Sequence, residues 1–209
     1  MSCSPKQTKE SSWMKSNGKL KVLATVSQIG DLVASIGQER VDVAVLVSAD
    51  LDPHSYELVK GDGEKLSYAD IIFYHGLGLE HGAGLTSFLE ASSDAVPLGR
   101  AIRDAVGERI IKKQGMCDPH FWMDVSLWKE AIPSILEQLE TIDPEGSSYY
   151  RANAKLLEEE MDELHAYVLR KIETVPEQKR FLVTSHDAFS YFSRAYLALS
   201  DEDWEERFE

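Results

Sequence analysis

The sequence predicts an α/β protein: a parallel-sheet N-terminal lobe, a long rigid connecting helix and an incomplete second α/β lobe. Three observations carry that prediction. Between Lys19 and Leu98, β-branched runs alternate with segments of helical periodicity, the pattern of a parallel sheet with helices on its faces. A single long helical stripe then runs from Asp143 to Thr174. After it, the strand-then-helix pattern restarts at Arg180, and the sequence stops soon afterwards.

Taken in order, residues 1–18 are polar and rich in Ser and Lys, which predicts a disordered leader or tether. Lys19–Val26 (KLKVLATV) predicts the first strand. Ser27–Gly37 places Ile29, Leu32, Val33 and Ile36 at helical spacing and ends on a glycine stop. Val41–Val47 predicts a second strand, and Tyr56–Ala69 a short helix broken near Gly61 and Gly63. Asp70–Tyr74 predicts a third strand and Ala95–Leu98 a fourth, which Pro97 weakens. Residues 19–142 make up the N-terminal lobe, closed by a helix over Val125–Glu140 bent at Pro133. The connecting helix occupies 143–175, with Tyr149, Leu156, Leu157, Met161, Leu164, Val168, Leu169 and Ile172 as its apolar stripe. Residues 176–209 begin the second lobe, with a strand at Arg180–Thr184, a helix at Asp187–Ala198 and a solvated acidic tail at Asp201–Glu209.

Composition narrows the function classes. The 209 residues include 43% hydrophobic and 28% charged positions, enough for a core that needs no disulfide staples. Asp and Glu number 36 against 22 Lys and Arg, a formal charge of −14. That sign repels a phosphate backbone, so no nucleic-acid partner is expected. No apolar run approaches the ~18 residues of a membrane span, and Met1–Trp13 lacks the apolar centre of a signal peptide. The chain is therefore cytosolic, or a mature or trimmed form of an exported protein. Two cysteines make no disulfide framework. Cys3 reads equally as the remnant of a lipid-attachment cysteine or as a free thiol in a tail, and Cys117 as a spectator.

Six histidines are present, and three share a setting. His54 follows Asp52-Pro53 just past the second strand. His120 follows Asp118-Pro119 before a helix. His186 stands in Ser185-His186-Asp187 at the end of the post-helix strand. All three fall where an open α/β sheet presents ligands. Proline stiffens the backbone that carries the imidazole, and a nearby carboxylate can take the ring N–H and fix the tautomer. A shared metal site and three ordinary histidines both remain open on spacing alone. His75 and His81 flank a Gly-rich loop that lacks dinucleotide spacing and reads as a tight strand-to-helix turn. His165 lies among acidic residues of the long helix and reads as solvated. Consecutive Ser185-His186-Asp187 does not converge as a nucleophile triad.

Several segments together resemble a known family. Val22–Ser27, Asp52-Pro53-His54-Ser55-Tyr56-Glu57, Tyr68–Tyr74, Gly76-Leu77-Gly78-Leu79-Glu80, Asp118-Pro119-His120-Phe121-Trp122-Met123-Asp124 and Thr184-Ser185-His186-Asp187-Ala188-Phe189 follow one another as in the TroA-like solute-binding proteins. These are the metal-binding receptors of bacterial Mn/Zn/Fe ABC importers. The resemblance spans about Lys19 to Ala198. It implies two α/β lobes joined by a rigid helix, a divalent transition metal (Zn, Mn or Fe) between them, and no enzymatic activity. It makes His54, His120 and His186 the metal ligands, with Asp52, Asp118 and Glu57 as their outer partners. The family's fourth ligand, a second-lobe carboxylate, has no counterpart here, as expected of a C-terminally truncated member. Leu58 stands where the family has proline, and His75 where asparagine is common. The implied partner is an ABC permease, with a monomeric receptor held in the periplasm or anchored on the outer face of the inner membrane, through Cys3 if that residue is lipidated. The alternatives are a three-histidine zinc hydrolase and a metal-stabilised surface adhesin.

Overall fold

The computed structural model describes residues 13–199 and 204–207. Four parallel strands form the sheet: β1 (Leu20–Ala24), β2 (Val41–Val45), β3 (Ile71–Tyr74) and β4 (Ala95–Pro97), in the order β2-β1-β3-β4. Each of the four strands expected between Lys19 and Leu98 is present and slightly shorter than its apolar run. Pro97 is tolerated because β4 is an edge strand that pairs only with β3. Alternation along the strands sorts the core into two layers. Val22, Ala24, Ile71 and Phe73 face one cluster, and Leu23 and Ile72 face the other.

The first layer is covered by α1 (Ser27–Gly37) together with later helices. The second is covered by α2 (Asp62–Tyr68), α3 (Ala83–Ala91) and Trp13. Trp13 corrects the expectation of a tether up to residue 18. Its indole N–H donates to the Asp42 carbonyl, its ring meets Tyr68, and Lys21 lies over it. An indole can fill a hydrophobic recess and still satisfy its one donor, which the polar composition around it obscured. Cys3 and the rest of residues 1–12 lie outside the described residues. The helix expected over Tyr56–Ala69 forms only after Gly61, whose φ of 102° breaks it. Two elements were not anticipated: α4 (Leu98–Val106) and a two-residue antiparallel hairpin of β5 (Lys112–Lys113) and β6 (Met116–Cys117).

The helix expected over Val125–Glu140 is divided at Pro133 into α5 (Val125–Trp128) and α6 (Ile132–Ile142), with a tighter turn between them. The long helix α7 runs Ser147–Glu173. Its buried face is Tyr150, Asn153, Ala154 and Met161, whereas Leu156, Leu164, Tyr167 and Leu169 are exposed. The stripe read from hydrophobicity alone was therefore rotated. Tyr150 and Asn153 take core positions because their polar atoms find partners: the Tyr150 hydroxyl donates to Asp143, and the Asn153 amide donates to the Ile36 carbonyl at the end of α1. Arg40 grips the same Asp143 carboxylate with two nitrogens. The Tyr150 hydroxyl, opposed by partial burial and aided by Arg40, holds the Asp143 carboxyl below its usual range.

Beyond α7 the expected strand at Arg180–Thr184 does not form. Leu182 donates to the Arg207 carbonyl as an isolated bridge, and Phe181 and Val183 are exposed. A strand needs a neighbouring strand to satisfy its backbone, and none is described beside it. The expected helix at Asp187–Ala198 contracts to α8 (Ser190–Phe192) and a wider π-type turn over Ser193–Leu197. In the acidic tail, Trp204 packs against the main core cluster, so its described part is not simply solvated. No described helix is long and apolar enough to cross a membrane. Asn153→Ala would leave the buried Ile36 carbonyl unpaired and should cost about 1–3 kcal/mol in urea unfolding.

Candidate metal centre

The sheet order reverses between β1 and β3, and the loops at that end of the sheet surround a cavity of about 570 Å³. Its lining includes Val26, Ser48, His54, Leu79, His120 and His186. The loop after β2 carries His54. Asp52 Oδ1 accepts the backbone N–H of His54 at 2.9 Å, and Asp52 Oδ2 accepts the Ser55 hydroxyl at 3.0 Å. Asp52 thus shapes the loop backbone rather than holding the imidazole, because its side chain folds back into its own turn. The loop after β6 carries His120. There the Asp118 carboxylate accepts both the His120 backbone N–H, at 3.0 Å, and the ring Nδ1–H, at 2.7 Å. With Nδ1 as donor, the Nε2 lone pair faces the cavity. Burial works against an ionised Asp118, yet the hydrogen bonds from His120 outweigh it and hold the carboxyl below its ordinary range.

His186 arrives from beyond the long helix. The segment that carries it is fastened by Tyr191, which is fully buried. The Tyr191 hydroxyl donates to the Asp118 carbonyl at 2.8 Å and accepts the Ile111 N–H at 3.0 Å. Lys113 pairs with Asp187, Arg194 donates to the Arg109 carbonyl, and Tyr196 accepts the Val125 N–H. The residue types of a triad at 185–187 are accordingly put to another use, with Asp187 facing a lysine.

These constraints bring three imidazoles together. His54 Nε2 and His120 Nε2 are 3.0 Å apart, and His186 Nε2 lies 3.2 Å from His120 Nε2. One ligand atom from each of the three falls within 4.8 Å of the others. Nitrogens bound tetrahedrally to one zinc at 2.0–2.1 Å stand roughly 3.3 Å apart, so the cluster is close to what a single cation would impose. His120 is buried, His54 half-buried and His186 exposed. Burial, and then the positive form of His120, lowers the pKa of His54. Both effects keep its lone pair available. Among the described residues no carboxylate joins the three nitrogens. Glu57 is exposed and makes no described contact with the histidines, and the half-buried Cys117 thiol stands outside the group.

Other residues at this end escaped the sequence reading. Glu80 is buried and accepts the Thr25 hydroxyl and the His75 N–H on one oxygen and the Gly76 N–H on the other. It clamps the loop after β3 to the end of β1. Burial pushes its pKa up, against the pull of those donors. His75 is wholly buried among Phe121, Trp122 and Trp128, and burial drives its pKa down to about 3. The tight, closely packed turn expected of this loop is present: Gly76, Leu77 and Gly78 all take positive φ. His165, expected to be solvated, pairs through Nδ1 with the Tyr196 hydroxyl at 2.9 Å.

Two outcomes follow for stability. Tyr191→Phe leaves the Ile111 amide unsatisfied in the interior and should cost about 1–3 kcal/mol in chemical denaturation. His75 is neutral in the folded protein down to about pH 3, whereas the unfolded chain takes up its proton near pH 6.5. Its contribution is complete above pH 6.5 and falls by roughly 1.4 kcal/mol per pH unit below that, levelling near pH 3. Denaturation series on the parent and on His75→Asn should differ by that slope.

Comparison with known proteins places the chain. The model of the ZnuA family, "Zinc-uptake complex component A periplasmic", matches residues 22–199. The metal-binding protein YtgA of Chlamydia pneumoniae is 40% identical over 192 residues, covering 92% of this chain and 59% of that protein. The zinc-binding protein TroA of Treponema pallidum is 38% identical over 181 residues, covering 86% of this chain and 58% of that protein. The crystal structure of Fe(III)-bound YtgA from Chlamydia trachomatis superposes with a TM-score of 0.87 at 37% identity, over 91% of this chain and 68% of that one. The chain thus spans about three fifths of the length of the curated relatives it matches. Zinc and Fe(III) are the metals named for these relatives, and a further relative, from Bacillus subtilis, is described as a manganese-binding lipoprotein. The order of motifs and the parallel sheet with its long helix agree with these matches, and the chain belongs to the ZnuA family of metal-binding proteins.

Proposed function

We propose that this chain captures a divalent transition metal outside the cytoplasm and delivers it to an ABC permease. His54, His120 and His186 serve as the ligands. The observation that supports this most directly is the convergence of three Nε2 atoms at 3.0 and 3.2 Å, one of them oriented by a buried carboxylate. Neutral imidazoles suit zinc, and suit manganese or iron when oxygen ligands complete the shell. Names of relatives support the same range: a manganese-binding lipoprotein from Bacillus subtilis and a zinc-binding protein from Treponema pallidum. Their descriptions as periplasmic proteins or lipoproteins support a location outside the cytoplasm; a monomeric receptor is part of the proposal. We divide the chain for this purpose into a first lobe, 19–142, a connecting helix, 143–175, and the beginning of a second lobe from 176.

The chemistry is binding alone. His120 presents a fixed lone pair because Asp118 holds its other nitrogen, so little ordering remains to be done when the ion arrives. The release of protons on binding is small at neutral pH and grows as the imidazoles become charged. Capture should therefore weaken as pH falls and protons compete for the imidazoles, with burial lowering the pKa of His54 and so keeping its lone pair available further into acid.

Isothermal calorimetry with zinc and with manganese tests the reading. His54→Ala and His120→Ala should each abolish stoichiometric binding. Asp118→Asn should weaken binding by about 10- to 100-fold. Unchanged affinity in either histidine variant would overturn the assignment.

A further inference from the structure

We propose that Ser190 is a positioning residue of this site: its hydroxyl serves the Asp118 oxygen that His120 does not use, so His120 is fully aimed only when the segment carrying His186 is seated. The inference rests on the three-histidine reading above. Its starting point is an imbalance within one carboxylate. Asp118 Oδ1 accepts both the backbone N–H and the ring Nδ1–H of His120, at 3.0 and 2.7 Å. Asp118 Oδ2 is shut away from solvent and meets no partner at full hydrogen-bond geometry. The Ser190 hydroxyl is in the same condition, on a residue with no exposed surface. A buried donor and a buried acceptor left unsatisfied both cost free energy, which a hydrogen bond between them recovers.

Three features place the two groups side by side. Tyr191, next to Ser190 in the chain, donates its hydroxyl to the Asp118 carbonyl at 2.8 Å. Helix α8, which begins at Ser190, packs against Phe121–Met123, the turn that follows His120. Burial opposes the charge on Asp118, and the donors that offset it are the His120 ring, the His120 amide and the Ser190 hydroxyl. His186 belongs to the same segment, where its carbonyl accepts the Ala188 N–H. Asp118 therefore turns one oxygen to one imidazole and the other to the stretch of chain that bears a second. A carboxylate held at both oxygens cannot swing about its own side-chain bond. The ring it grips then keeps the Nδ1–H tautomer, with Nε2 directed at the cation. Two ligands distant in the chain are set by one group, and seating the His186 segment sharpens the aim of His120.

The test uses the whole chain, metal-free and titrated with zinc. Ser190→Ala keeps the β-carbon and removes an oxygen with no other partner, so the fold is retained, which urea unfolding of the metal-free variant checks. It should lower zinc affinity about tenfold. Nitrogen NMR of the metal-free protein at about pH 8, where imidazoles are neutral, should show His120 as a single Nδ1–H tautomer in the parent and as a mixture in Ser190→Ala. In an Asp118→Ala background the same substitution should change neither reading, because the group it acts through is gone. Parent-like affinity and tautomer in Ser190→Ala would overturn the proposal and leave the three-histidine site standing. A loss that persists undiminished in the Asp118→Ala background would also overturn it, since Ser190 would then act through packing alone. His120→Ala, run in parallel, tests the underlying reading: if it binds zinc like the parent, that reading fails and the role of Ser190 in capture fails with it.

Discussion

Asp118 is the point on which the geometry of the site depends. Its carboxylate takes the ring N–H of His120, its carbonyl takes the hydroxyl of Tyr191, and its own amide donates to the Ile111 carbonyl. One residue therefore fixes the His120 imidazole and seats the segment that brings His186 from beyond the long helix. A charged, buried carboxylate is stable there only because its desolvation is offset by hydrogen bonds. The side chain that orients His120 and the backbone that receives Tyr191 belong to the same rigid tripeptide, so a change in either would be felt at both histidines.

The rest of the molecule supplies the frame for that contact. The parallel sheet ends beside the cavity, and Glu80 locks the end of β1 to the loop after β3 through the Thr25 hydroxyl and two amides. Helix α7 lies against α1 through Asn153 and is tied at its start to the turn before β2 by Asp143, Arg40 and Tyr150. Beyond Met161 the helix presents leucines and a tyrosine to solvent. The residues that follow it are held chiefly by Tyr191, Tyr196, Arg194 and Asp187, all of which reach back to residues between Arg109 and Val125. His186, carried on that segment, is thus positioned by contacts with residues that precede the long helix, and among the described residues no sheet lies beyond that helix.

Much of this was legible from residue order. Strand-forming runs and the glycine stop at Gly37 marked β1, α1 and β2, and Pro133 marked the break between α5 and α6. The two Asp-Pro-His tripeptides picked out two of the three clustered histidines. Other features were hidden for definite reasons. The β5–β6 hairpin is only two residues a side, too short for periodicity to register. The buried face of α7 was misjudged because Tyr150 and Asn153 are core residues whose polar atoms are satisfied by partners far away in sequence. Asp52 and Asp118 occupy identical tripeptides, yet one serves its own turn and the other its histidine.

The sequence by itself determined the local elements, the stiff backbone at each Asp-Pro-His and the residue types able to hold a soft cation, since propensity, proline geometry and donor chemistry act over a few residues. Only the tertiary structure decided that His54, His120 and His186 meet and that Asp118 rather than Asp52 sets a tautomer. Those outcomes depend on loops brought together across the sheet and on a tyrosine 73 residues from its acceptor. Contacts of that range come from packing the whole chain, and no local pattern encodes them.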